Sequence, residues 1–239
     1  MATLFASDLH LSPARPAINQ TFFEFLRGPA ARAEALYILG DLFEYWAGDD
    51  DDDPFGASVL KALAEFSAHG VPLYLMHGNR DFLIGERFTA ACRARVLPDP
   101  TLVNLYGAPT LLMHGDTLCT DDVRYLEFRA RARNPAWQRE FLAQPLPKRR
   151  EIIAGLRSEN AEEKKLKTEE IMDATQAGIE AALRAHGYPR LIHGHTHRPA
   201  LHHHSVDGHD CERWVLADWY KSGSYLHCDA AGCRAVRLS

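Results

Sequence analysis

Short apolar runs alternate with amphipathic stretches over the first 120 residues of the chain, and that alternation predicts α/β layering. Runs at 4–7 (LFAS), 36–39 (LYIL) and 71–76 (VPLYLM) read as strands, with helices expected near 18–27, 57–69 and 85–93. From about Thr120 to Ala185 the chain turns polar, rich in Arg, Lys and Glu, and helix-favouring. Pro135, Pro145 and Pro147 cut this stretch into pieces. RLIHG then restores a buried strand, and RWVLADW, SYLHCD and CRAVRL read as short closing strands. The pattern predicts one domain over 1–239 with a helical cap inserted at 121–170.

Composition narrows the class. With 46% hydrophobic and 25% charged residues the chain is globular, neither disordered nor fibrous. The longest charge-free stretch, 100–115, is broken by Asn104, Gly107 and Pro109, short of the roughly twenty apolar residues of a spanning helix. MATLFASDLH has no basic leader segment, so a cytoplasmic location is expected. Cys92, Cys119, Cys211, Cys228 and Cys233 are odd in number and form no CxxC pair, which suits packing roles in a reducing compartment. Net charge is −5, yet 121–167 hold twelve Lys and Arg against eight Asp and Glu. A local basic segment therefore sits in an acidic protein, either as a solvated helix face or as a binding surface. Overall acidity argues against duplex nucleic acid as a partner.

Five apolar runs each end in a residue able to ligate a metal: Asp8, Asp41, Asn79, His114 and His195. Chemistry in layered α/β folds gathers beyond the carboxyl ends of strands, so five such ends can converge. Two of them carry a second candidate at i+2, His10 and His197, which extended backbone would turn to the same side. Carboxylate, amide and imidazole donors without thiolate suit Mn, Fe or Zn. Seven donors exceed what one open catalytic ion needs, which points to two ions. The triplet His202, His203 and His204 lacks this arrangement and reads as surface.

The segments DLH, GDLFEYW, GNRD, HGD and GHTHRP, in this order from Asp8 to Pro199, resemble the calcineurin-like metallophosphoesterases. That resemblance implies a two-sheet α/β/β/α sandwich, with Asp8, His10, Asp41 and His197 on one ion and Asp41, Asn79, His114 and His195 on the other. Most members of that superfamily carry His where this chain has Arg80. Arginine is no general acid at neutral pH, but its planar fork can clamp phosphate oxygens. The leaving group must then depart with little protonation, which favours a pyrophosphate linkage over a simple phosphodiester.

GNRD, the segment 40–50 and the helical insertion together resemble one branch, the UDP-2,3-diacylglucosamine hydrolases of lipid A biosynthesis. The resemblance implies cleavage of the pyrophosphate to UMP and 2,3-diacylglucosamine 1-phosphate by a metal-activated water attacking the α-phosphorus, with two Mn2+ ions. Asn79, Arg80 and His195 would act in catalysis. Asn79, Arg80, Asp122, Asn160, Lys164, Lys167 and His195 would touch the substrate. Within the insertion, Arg149, Arg150, Arg157, Lys164, Lys165 and Lys167 are expected to form a basic side, and Trp137, Phe141, Leu142, Ile152, Ile153 and Leu156 an apolar one. Such a cap fits a lipid substrate and peripheral contact with the cytoplasmic face of a bacterial inner membrane, with no obligate protein partner.

Overall fold

The computed structural model describes residues 2–166 and 173–238, with the side chains of 159–166 excluded. Two sheets face each other. The first has six strands in the order β11-β10-β1-β2-β3-β4, where β1 is Thr3–Ala6, β2 Ala35–Leu39, β3 Leu73–Met76, β4 Arg95–Leu97, β10 Ser224–Asp229 and β11 Gly232–Arg237. The second has five, β5-β6-β7-β9-β8, from Thr101–Leu105, Ala108–Leu112, Arg190–His193, His209–Val215 and Ala200–Val206 respectively. β1 to β4 run parallel, as do β6, β7 and β9.

Period-two side-chain alternation divides the core into layers. Phe5, Leu39, Met76, Leu112, Ile192 and Leu226 point between the sheets. Their neighbours Leu4, Ala6, Leu36 and Ile38 point the other way, against helices α1 (Pro16–Arg27), α2 (Pro54–Ala68) and α3 (Glu86–Cys92). On the far side, Leu111 and Leu191 meet Ile179 and Leu183 of helix α7 (Gln176–Ala185). The result is an α/β/β/α sandwich. Strands that bury both faces read as continuous apolar runs, which is why they stood out in the sequence.

Between β6 and β7 lie α4 (Val123–Ala132), α5 (Pro135–Leu142) and α6 (Leu146–Leu166). Pro135 starts α5 behind an Asn134 cap, since a first-turn proline gives up no helical hydrogen bond. Trp137, Phe141, Ile152 and Ile153 pack on the main core.

Arg149 and Arg150 do not form an open basic side as the sequence suggests. Arg149, 1% exposed, donates to both carboxylate oxygens of Asp50 and to the Ala47 carbonyl. Arg150 pairs with Asp51 and Asp52, and Arg157 with Glu44 at 2.8 Å. The acidic run after GDLFEYWAG consumes Arg149 and Arg150, and Glu44 within that motif takes Arg157; the buried Arg149 guanidinium in particular needs an opposite charge. Lys167 lies outside the described residues, as do the side chains of Asn160, Lys164 and Lys165.

The cysteine expectation also needs correction. Cys228 and Cys233 stand opposite each other in the β10–β11 hairpin and are joined as a disulfide. Cys92, Cys119 and Cys211 are buried free thiols. Among the described residues no helix is long and apolar enough to cross a membrane.

Candidate metal centre

Each of the five singled-out strand ends reaches one place. Asp8 follows β1, Asp41 β2 and Asn79 β3 in the first sheet, while His114 follows β6 and His195 β7 in the second. The loops are tied together: Asp8 N–H donates to the Gly40 carbonyl at 3.1 Å, His10 N–H to that of Asp41 at 2.9 Å and Gly194 N–H to that of His114 at 2.9 Å. Asp8 Oδ2 accepts from Ser7 Oγ at 2.6 Å and from His195 N–H at 2.9 Å, which bridges the two sheets.

The i and i+2 pairs converge by a different route from extended backbone. Asp8, His10, Asp41, His195 and His197 have φ of 53°, 49°, 54°, 67° and 56°, all in the left-handed region. Such residues are costly outside glycine and persist where surrounding contacts over-determine them. Close approach explains two of the motif glycines. A Cβ on Gly78 would collide with Asp41, and one on Gly194 with Asp8 and Ser7.

Two triads of donors form, Asp8–His10–His197 and Asp8–Asp41–His114, each with its ligand atoms within 4.8 Å of one another. Asp41 turns Oδ2 to His10 Nε2 at 3.8 Å and Oδ1 to His114 Nε2 at 3.9 Å, so its two oxygens serve both halves. Asn79 Oδ1 lies 3.0 Å from His114 Nε2 and 3.1 Å from His195 Nδ1. All seven predicted ligands are thus neighbours.

The donor set fits cations. His114 Nδ1 meets the Leu39 carbonyl at 2.9 Å, which assigns a proton there and turns Nε2 to Asp41 and Asn79. His10 Nε2 and His197 Nε2 face each other at 3.3 Å, a gap that one proton at most can serve. Asp8 Oδ1 is buried 3.3 Å from His197 Nε2, and His10 Nδ1 is 3.5 Å from Glu44 Oε2. Lone pairs left facing lone pairs in a buried site are what a divalent ion would satisfy.

Charge states divide the histidines of the centre. Burial holds His10 and His195 down at about 3, keeping both imidazoles neutral and able to ligate. Burial opposes ionisation of Asp8 too, but the close contact with His197 and the charges of His114, His197 and His10 hold it below the usual carboxylate range. Burial pushes Asp41 up to about 7 against the charge of His114. His114 is lowered by burial, yet the charges of Asp41, Asp116 and Asp8 carry it up to about 9, so a cation binding there displaces its Nε2 proton.

Arg80 flanks the centre, its charge bearing on His10 and Asp41, and its Nε is buried without a partner. Asp122 caps α4, accepting from Tyr125 N–H at 3.2 Å.

Several supporting residues escaped the sequence reading. Asp81 of GNRD accepts from Leu42 N–H at 2.7 Å and Gly78 N–H at 2.9 Å, clasping two ligand loops. Asp116 of HGD accepts from Tyr125 and from Arg129 at 2.7 Å, and the Tyr125 ring stacks 6.0 Å from His195. Tyr220 stacks on His10 at 4.9 Å, while Arg15 donates to the His10 carbonyl at 2.9 Å. The acids inside GNRD and HGD were visible signals. Tyr220 and Arg15 had none.

The fold is that of the calcineurin-like phosphoesterases, and the family model of that description matches residues 1–199. The chain is 54% identical over 232 residues to the UDP-2,3-diacylglucosamine hydrolase of Aromatoleum aromaticum, covering 97% of this chain and 95% of that one. It is 50% identical over 246 residues to the protein of the same name from Xanthomonas axonopodis pv. citri, covering 100% of both. Against that of Stenotrophomonas maltophilia (strain K279a) identity is 48% over 239 residues, 97% of this chain and 96% of the relative. The chain belongs to the calcineurin-like phosphoesterase family and groups within it with these hydrolases.

Proposed function

We propose that the protein hydrolyses the pyrophosphate bond of UDP-2,3-diacylglucosamine, releasing UMP and 2,3-diacylglucosamine 1-phosphate, with two divalent ions, Mn2+ foremost. One observation carries the proposal: seven oxygen and nitrogen donors meet at one centre beside an arginine whose Nε has no protein partner. The substrate follows from the name its relatives bear at 48–54% identity over nearly their whole length.

Asp8, His10, Asp41 and His197 would hold one ion, and Asp41, Asn79, His114 and His195 the other. Bound there, the ions supply Lewis acidity and an activated water for attack on the α-phosphorus. The chain's own part is positioning and charge. Arg80 would clamp non-bridging phosphate oxygens and stabilise the charge that develops on them. Having no proton to give at neutral pH, it suits a leaving group that departs as a phosphate monoester, with a second pKa of about 6. Ser7 and the His195 amide orient Asp8, and the Leu39 carbonyl fixes the tautomer of His114.

The inserted segment 121–170 is read as a cap over the centre, and Asp122, Asn160, Lys164 and Lys167 are proposed as substrate contacts on the strength of the family resemblance. Leu142, 38% exposed, and Val123, 58% exposed, offer apolar surface for acyl chains or lipid. Peripheral attachment to the cytoplasmic face of the inner membrane is part of the same reading, supported by this apolar surface.

The test is an assay of the purified protein with Mn2+ on UDP-diacylglucosamine, UDP-glucosamine without acyl chains and an aryl phosphodiester. Turnover should be largest on the first, and equal turnover on all three would refute the lipid assignment. Hydrolysis in 18O-water should label UMP. Arg80→His should lower kcat on the pyrophosphate by roughly 10²-fold.

A further inference from the structure

Arg133 closes α4 at the corner where the chain turns into α5. Its Nη2 donates to the Gly78 carbonyl at 2.8 Å and to the His77 carbonyl at 3.2 Å. Its Cζ lies 5.3 Å from the centre of the Phe82 ring. Among the described residues no carboxylate pairs with it, so its polar contacts go to the backbone just before Asn79.

That backbone is held from two directions. On the core side Gly78 N–H donates to Asp81 Oδ1 at 2.9 Å, Arg80 N–H to Asp41 Oδ1 at 2.9 Å, and the Arg80 carbonyl accepts from Trp46 N–H at 3.2 Å. The Gly78 carbonyl, which shares its peptide plane with the Asn79 nitrogen, is held by Arg133. Glycine restricts its own dihedrals least, so this plane depends on outside contacts for its orientation.

We infer that Arg133 is a positioning residue. It fixes the Gly78–Asn79 peptide so that the Asn79 amide oxygen meets His114 and His195 while Arg80 stays turned to the centre. The inference rests on the proposed roles of Asn79 as a metal ligand and Arg80 as the phosphate clamp. It concerns one half of the centre only. Asp8, His10 and His197 are oriented by Ser7, Arg15 and Tyr220, which Arg133 does not touch.

Residues that orient metal ligands change affinity by ten- to hundredfold on substitution, so a selective loss at one ion is expected. The full-length protein, stripped of metal, is titrated with Mn2+ by calorimetry, and the spin-coupled pair is followed by electron paramagnetic resonance. Wild type should take up two ions. Arg133→Met should weaken one step about tenfold and leave the other within twofold. Its coupled signal should appear only at higher Mn2+, and kcat on the pyrophosphate should fall about tenfold with little change in KM. Arg133→Lys should lie between the two, since an ammonium can still donate to these carbonyls. If Arg133→Met does not fold, Arg133→Lys carries the test, and an unshifted titration overturns the inference. Equal weakening of both steps, or wild-type titration in Arg133→Met, also overturns it. Fewer than two ions on wild type would instead refute the reading of the centre, and the inference with it.

Discussion

At the centre, residue identity and backbone conformation are at odds. Five ligands hold φ between 49° and 67°, where Asp and His are strained, and a web of hydrogen bonds keeps them there. Asp81 is the clearest strand of that web. Removing its carboxylate in Asp81→Ala leaves buried N–H groups of Leu42 and Gly78 without acceptors. A loss of about 3 kcal/mol is expected, read as a lower urea midpoint, together with weaker metal uptake. His193 offers a second test. Burial first and Arg213 second hold its pKa down at about 3, against an ordinary value of 6.5. The folded state therefore binds fewer protons than the unfolded, so its contribution is whole above pH 6.5 and is lost as pH falls from there towards 3. Between pH 6.5 and 5 wild type should lose about 2 kcal/mol that His193→Gln does not, measured by urea unfolding at both values. The candidate ligands were legible, because five of them end apolar runs and two follow at i+2. His193 was hidden among them, its role set by an arginine twenty residues away on a neighbouring strand.

Among the elements, α6 shows where sequence reading fell short. Its basic character was plain, and so was the acidic run from Asp49 to Asp53, but nothing local says that they meet. The two lie 99 residues apart at the Arg149–Asp50 and Arg150–Asp51 contacts. Cations expected to face a substrate instead fasten the inserted helices to the core. Arg149→Met should cost about 2 kcal/mol, below the roughly 3–5 of a fully buried pair because Asp50 is 57% exposed. Hydrogen exchange should quicken across 146–158 ahead of the central strands, and uniform quickening would contradict an anchoring role.

For the whole molecule, the two sheets bring their parallel-strand ends to one edge, and six titratable candidate ligands crowd there, with His10 and His195 held neutral and the Asp41 carboxyl near 7. A cation binding only the folded state stabilises it by mass action, about 2.7 kcal/mol at a hundredfold excess over Kd. Chelation should therefore lower Tm by several degrees and Mn2+ restore it. A Tm indifferent to chelator in protein verified to have held metal would oppose the metal reading.

The layered class and the gathering of candidate metal donors at strand ends were determined by the amino-acid sequence, since apolar runs and the residues ending them are local patterns of a few positions. Tertiary structure alone decided the left-handed turn of the ligands, the disulfide across β10 and β11, and which arginines are neutralised within the protein. Those outcomes depend on contacts between segments far apart in the chain, and electrostatic pairing is set by distance in space, of which sequence separation carries no record.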